Sequence, residues 1–268
     1  MMDLLKRDLA PITDVAWEEI DRQATRVLRS LLTARKFADI LGPYGPQFGA
    51  VPAGRLDIVK GSGKAIPDYG VHKVHPLLEV RIPFDLDIWE LDNAARGADD
   101  IDLSNLEEAA TKIAAFEEGI LYAGSREADI PGIAEASSQP SVAYDQNPAS
   151  FLKAVAEGVT QLRASAVEGP YALVVDKPMW SYLSSSVQGR PLRHHLEYIL
   201  QGPVLLSTFT ESCYLVSMRG GDLELVIGQD IAIGYSSHDK DRVRLYFTES
   251  FTYRILDSSA TLFFQGKA

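Results

Sequence analysis

The side chains able to do chemistry are scattered along this chain, and their spacings satisfy no reaction. Gly61-Ser62-Gly63-Lys64 has the look of a phosphate loop. However, Ala65 follows Lys64 and no glycine stands at the upstream spacing, so phosphate and Mg²⁺ contacts are not provided. His72 and His75 form an H-x-x-H pair in a segment that reads as a strand, where residues three apart point to opposite faces and cannot share a metal. His194 and His195 stand beside Arg190 and Arg193, as in a solvated basic helical turn. No G-x-S-x-G elbow surrounds Ser184, Ser185 or Ser186, and no Glu-x-x-His pattern marks a di-iron bundle. Cys213, the only cysteine, sits in the apolar run CYLV, the setting of a buried structural thiol rather than a nucleophile. The chain is therefore expected not to be an enzyme, and any iron chemistry must come from another polypeptide.

The bulk properties narrow the class further. With 268 residues, 46% hydrophobic and 24% charged, the composition is that of a globular protein of one large or two modest domains. A formal net charge of −11 disfavours non-specific nucleic-acid binding, and would draw cations toward an enclosed, acid-lined space or simply keep the surface solvated. A lone cysteine rules out an internal disulfide framework and fits a reducing cytoplasm. Asp3, Lys6, Arg7 and Asp8 interrupt the start, so no signal peptide is expected, and no apolar run is long enough for a membrane span.

The elements that would position these residues begin with a long amphipathic helix. Thr13 serves as its N-cap, Asp14 suits its dipole, and Trp17, Ile20, Ala24, Val27, Leu28 and Leu31 form one apolar stripe, with a Gly-Pro-Tyr-Gly turn at 42–45 as its stop. Between 46 and 80, glycines and prolines punctuate two strand-like runs, RLDIV and VHKVHPLLEVRI, joined by GSGKAIPD. A hairpin of this composition cannot bury a core alone, so its partners should lie outside its own subunit.

Ser104-Asn-Leu-Glu107 reads as a capping box opening a helix that ends near Gly124, with Leu106, Ala110, Ile113, Phe116, Ile120 and Leu121 on one face. Asn147-Pro148 opens another, with Phe151, Leu152, Val155, Val159 and Leu162 as its stripe. YALVVD is a buried strand, followed by short helices near 177–186 and 191–201. Strands VLLST and SCYLVSM come next, then a hairpin turn at Arg219-Gly220-Gly221 into DLELVIG, with VRLYFTESFTYRIL and ATLFFQ as a final β pair. Helices and strands interleave without a βαβ period, so the fold class is α+β.

The order LKRDLAP, RKFADILGPYG, DLDIWELDN, GGDLELVIGQDIAIGY and VRLYFTESFTYRI resembles the encapsulin shell proteins (type 1, linocin-like), relatives of phage capsid proteins. The resemblance spans essentially the whole chain and is weakest between about 125 and 165. It implies a phage-capsid fold: a peripheral domain from 1–48, 82–133 and 223–268, an extended loop at 49–81, and an axial domain at 134–222. It implies a self-assembling icosahedral shell of the smallest class, a T=1 60-mer in the cytoplasm, that encloses a cargo enzyme. The cargo in this family is a dye-decolourising haem peroxidase or a ferritin-like iron oxidase, so haem or iron belongs to the cargo and the shell itself requires no cofactor.

The resemblance also implies sites. A groove for the cargo's C-terminal targeting peptide would use Leu28, Leu31 and Leu32, with Arg35 and Asp39 as polar anchors and Asp230, Ile231 and Ile233 from the other side; leucines at this spacing also serve as plain core. A five-fold pore would be built from Ser184, Ser185, Ser186, Gln188, Gly189 and Arg190, or these form an exposed helix–helix turn. Trp89 would be a stacking face for an aromatic ligand such as a flavin, or a core or interface anchor. Two rivals remain on the residues: a prophage major capsid protein, and a soluble hydrolase or peptidase.

Overall fold

The computed structural model describes residues 4–61, 67–145, 148–185 and 192–266. In chain order the elements are α1 (Asp14–Leu31), β1 (Asp39–Leu41), β2 (Ala50–Val59), β3 (Tyr69–Pro76), β4 (Leu78–Asp87), α2 (Ile88–Ala95) and α3 (Ser104–Ala123). A short pair, β5 (Gly124–Ser125) and β6 (Ile130–Pro131), and one turn, α4 (Ile133–Ala136), lead to β7 (Val142–Tyr144). Then come α5 (Pro148–Ala164), β8 (Tyr171–Val175), α6 (Lys177–Ser185), α7 (Leu192–Leu200), β9 (Val204–Leu206), β10 (Cys213–Ser217), β11 (Leu223–Ile227), β12 (Ala232–His238), β13 (Arg242–Ile255) and β14 (Thr261–Gly266).

Two five-stranded sheets organise the chain. In the first, β13 is the axis. Along one edge β4 pairs antiparallel from Arg242↔Asp87 to Phe251↔Leu78, and β13 also pairs with β12 over its first half and β11 over its second. β1 adds to β11 in parallel. The second sheet runs β7-β14-β10-β8-β9. Every residue of β8 and β10 is buried, as expected for strands covered on both faces. One of those faces packs on α5, α6 and α7 through Phe151, Val155, Leu183, Leu196 and Leu215. The other meets the first sheet through Val174, Val216, Leu225, Phe251 and the end of α3. A third core lies between the first sheet and α1, α2 and α3, with Ile20, Leu106, Ile113 and Phe247 at its centre.

The α+β class and most elements follow the sequence pattern, and four expectations are corrected. The first helix stops at Leu31 rather than continuing to Gly42. Leu32 is extended (φ −75°, ψ 93°), a 3-10 turn spans Ala34–Lys36, and the remaining residues pair as β1, because Thr33, Ala34 and Arg35 have stronger partners outside a helix. The capping box does not form. Asp102 accepts from the Ser104 N–H at 2.9 Å instead, while Glu107 faces Gln23 and Arg26 of α1. Arg219-Gly220-Gly221, with positive φ at both glycines, is no hairpin turn: it carries the chain from β10 in one sheet to β11 in the other. β13 and β14 are likewise not a pair. β14 inserts between β7 and β10, so the segment 223–268 divides between the two sheets. An unforeseen helix, α2, follows β4, capped by Asp87, whose carboxylate accepts from the Glu90 N–H at 3.1 Å.

The hairpin of β2 and β3 belongs to neither sheet. It pairs only with itself, from Ala50↔Pro76 to Val59↔Tyr69, and nearly all of it is exposed. Leu56, Ile58, Tyr69, Val71 and Val74 are each about half exposed or more. Fully burying one such side chain stabilises by about 1.5–3 kcal/mol, so five left in water form an unusually apolar exposed surface.

Candidate functional site

The C-terminal half of α1 and the turn before β12 enclose a groove of about 430 Å³. Its apolar wall is Leu28, Leu32 and Ile231; its polar rim is Thr25, Arg29, Arg35, Lys36 and Asp230. The groove thus brings together Leu28, Leu32, Arg35, Asp230 and Ile231 of the expected set. Leu31 is not among its lining residues. Ile233 is only 4% exposed and packs in the core under α1. Asp39 opens β1 and accepts from the Gly221 N–H at 2.5 Å, at the turn into β11 and outside the groove's lining.

Arg35 is the structural pivot. Its Nε and Nη2 donate to Glu117 at 2.7–3.1 Å, Nη2 also reaches Glu249 Oε1 at 2.6 Å, and Nη1 reaches Asp230 Oδ1 at 2.9 Å. Glu117 on α3 and Glu249 on β13 are fully buried, whereas the Asp230 side chain is 47% exposed at the rim. Three carboxylates hold Arg35 firmly protonated despite its burial, Glu117 foremost. Asp230 Oδ1 also accepts from the Ile231 N–H at 2.8 Å, and Gln229 N–H donates to Ser250 Oγ of β13 at 2.8 Å, so the groove's second wall is anchored to the first sheet.

Glu118, the next residue of α3, fixes the other end of the same segment. Its carboxyl accepts from Thr33 Oγ1 and, at 2.8 Å, from the Ala34 N–H, and Tyr122 OH meets Thr33 Oγ1 at 2.9 Å. Burial is the main cause that lifts Glu118 to about 7, against these hydrogen bonds that favour its charged form. Glu117, Glu118 and Glu249 were not anticipated, yet Glu117 and Glu249 left a signal in the sequence. Glu117 falls one turn after Ile113 on the buried stripe of α3, and strand alternation puts Glu249 between Phe247 and Phe251 on the core face.

The other anticipated residues are placed as follows. Ser184 is exposed near the end of α6; Ser185 is that helix's last residue, and Ser186, Gln188, Gly189 and Arg190 lie outside the described residues. Trp89 is 69% exposed on α2 with the Arg96 guanidinium 5.8 Å from its ring centre, which makes it a surface stacking face and not a core residue of this chain. His194 is exposed and meets Glu197 at 3.2 Å, a solvated helical turn. Most of the glycine-rich 61–66 loop lies outside the described residues. Cys213 is wholly buried, and burial pushes its thiol up to about 12, so it is not a nucleophile at neutral pH. Among the described residues no His, Cys, Asp and Glu group could hold a metal ion, and no helix is long and apolar enough to cross a membrane.

Solved structures share this fold. A virus-like particle from Pyrococcus furiosus matches with a TM-score of 0.63 at 17% identity, covering 93% of this chain and 99% of that one. The capsid of Myoviridae phage XM1 matches with 0.53 at 13% identity, covering 88% and 92%. The class is thus the phage-capsid-like α+β fold. Sequence comparison then separates the members of that class. A family model described as "Encapsulating protein for peroxidase" matches residues 2–252. The chain is 34% identical to the type 1 encapsulin shell protein of Mycobacterium tuberculosis over 262 residues, 97% of this chain and 98% of that protein. It is 36% identical to that of Rhodospirillum rubrum over 272 residues, 99% and 97%. This chain belongs to the type 1 encapsulin shell-protein family, a family of structural shell subunits and not of enzymes.

Proposed function

We propose that this chain assembles with copies of itself into a closed icosahedral shell, a T=1 60-mer, and that the α1 groove captures a peptide at the C-terminus of a cargo enzyme. The observation that carries the reading is the pairing of an apolar hairpin left in water with an open groove of mixed character. The hairpin supplies self-association, since strands that add to a neighbour gain backbone hydrogen bonds along with apolar burial. The groove supplies recognition: Leu28, Leu32 and Ile231 accept small apolar side chains, and the rim of Arg29, Lys36 and Asp230 fixes register. The shell works in the cytoplasm, needs no cofactor, membrane or nucleic acid, and admits small substrates through pores in its wall. The family's description supports a peroxidase as cargo, with a ferritin-like iron protein as the alternative, so haem or iron resides in the cargo. Trp89 offers one open ring face beside Arg96, and no step here depends on a flavin stacking there.

Negative-stain microscopy of the purified protein, with mass spectrometry of whatever co-purifies from its native host, tests both halves. Closed shells carrying one dominant enzyme are expected. Leu28→Asp should give shells emptied of that enzyme, because a charge in an apolar groove is costly, whereas Asp39→Ala should load normally. A lone subunit in every buffer would overturn assembly, and full loading of the Leu28→Asp shells would overturn the groove.

A further inference from the structure

The carboxylates beneath the groove outnumber the cations available to them. Glu117 and Glu249 are both fully shielded from solvent, with Arg35 the guanidinium between them. Glu117 engages it through both oxygens, which leaves Glu249 one contact, through Oε1. Oε2 of Glu249 is enclosed and meets no donor. For an ionised carboxylate that is an expensive position, since a dehydrated charge with a bare lone pair loses its water without replacement. A neutral acid there loses far less, and its O–H can be given to the adjoining Glu117 carboxylate.

We propose that Glu249 carries a proton in the folded protein and is thereby a positioning residue of the groove, leaving Arg35 free to hold Asp230 at the rim. The proposal rests on the groove being the peptide site, and it concerns how that site is kept in shape. With Glu249 neutral, the guanidinium divides between Glu117 inside and Asp230 outside. The Asp230 oxygen that meets Arg35 is the one that accepts from Ile231 N–H, so a single atom ties the groove's apolar wall to its buried floor. Ionising Glu249 sets a second full negative charge against Arg35 from within and loosens its hold on Asp230.

The groups facing Glu249 from each packed element support a retained proton. Glu117 comes from α3, Asp230 from the turn before β12, Arg35 from the segment after α1, and Tyr253 from β13 itself. Arg35 is the one cation among them, and Glu118 is occupied by Thr33 and Ala34. Burial, then the negative charge of Glu117, moves Glu249 well above the ordinary carboxyl range, in agreement with the geometry.

Two measurements on assembled protein, neither involving cargo, test this. Infrared spectra near neutral pH should contain a protonated-carboxyl carbonyl band that persists in Glu118→Gln and disappears in Glu249→Gln. Hydrogen–deuterium exchange at 228–236, corrected for intrinsic rates, should rise about tenfold between pH 6 and pH 10 in wild type and stay level in Glu249→Gln, whose amide is neutral throughout. If Glu249→Gln fails to assemble, the band in Glu118→Gln and the wild-type exchange profile decide between them. Absence of the band, a level wild-type profile, or a Glu249→Gln variant that tracks wild type would overturn the proposal. Because no peptide enters either experiment, these failures leave peptide capture itself standing.

Discussion

The β2–β3 hairpin and the seam between α1 and α3 reverse the usual placement of side chains in opposite senses. The hairpin holds Leu56, Ile58 and Val71 in water, while the seam holds Glu117, Glu118 and Glu249 away from it. Each is unfavourable in isolation, and each is compensated by a different kind of partner. The hairpin pairs only with itself, and in the function proposed above its compensation comes from another chain. The seam finds its partners internally, in Arg35, Thr33 and the Ala34 backbone. Apolar exposure thus marks where the protein is unfinished, and buried charge marks where it is fixed in one shape.

The contrast can be broken at either end. The largest effect is expected from deleting residues 55–74: subunits should keep their α+β circular dichroism and cooperative unfolding yet form no particles by sedimentation or microscopy. Normal shells from that deletion would mean the hairpin is dispensable and the contrast empty. Next comes Arg35→Ala, which leaves the buried Glu117 carboxylate without its cation and should cost about 3–5 kcal/mol in urea unfolding. A loss below 1 kcal/mol would show that protons, not Arg35, neutralise the seam.

The smallest effect sharpens the seam's own chemistry. Glu118 sits at about 7 when folded, above the ordinary glutamate value of 4.5, chiefly because it is buried. Its proton is held more tightly in the native state, so the stability it permits is fullest below about pH 4.5 and is lost as pH rises to 7, by about 3 kcal/mol. Glu118→Gln should flatten that portion of the stability–pH profile while keeping an acceptor for the Ala34 N–H. Parallel profiles for the two proteins would assign the slope to other groups.

The residues explain which parts of this molecule were legible beforehand. Local patterns gave Thr13 as a cap, the α5 stripe from Phe151 to Leu162, and the hairpin as an element without an internal partner, because each depends on neighbours within a few positions. The partner choices of β10, β11, β13 and β14 were not legible: they are settled by contacts between residues tens of positions apart, and a glycine pair such as Gly220-Gly221 permits either a hairpin or a crossing between sheets. In the groove, Leu28, Leu32, Arg35, Asp230 and Ile231 followed from family likeness. Asp39 and Ile233 fall outside the groove's lining, because the helix ends at Leu31 and Asp39 pairs with β11, and because Ile233 of β12 is buried in the core.

The interior position of β14 has a bearing on how the chain reaches its native state. Residues 261–266 occupy the gap between β7 and β10, both of which precede them in the sequence by dozens of positions. During N- to C-terminal synthesis, the β7 edge of the second sheet has nothing to pair with until residues 261–266 have emerged. A subunit cut short before Thr261 would therefore lack an interior strand and not a dispensable tail, and truncated copies should be excluded from the growing particle before they can spoil it.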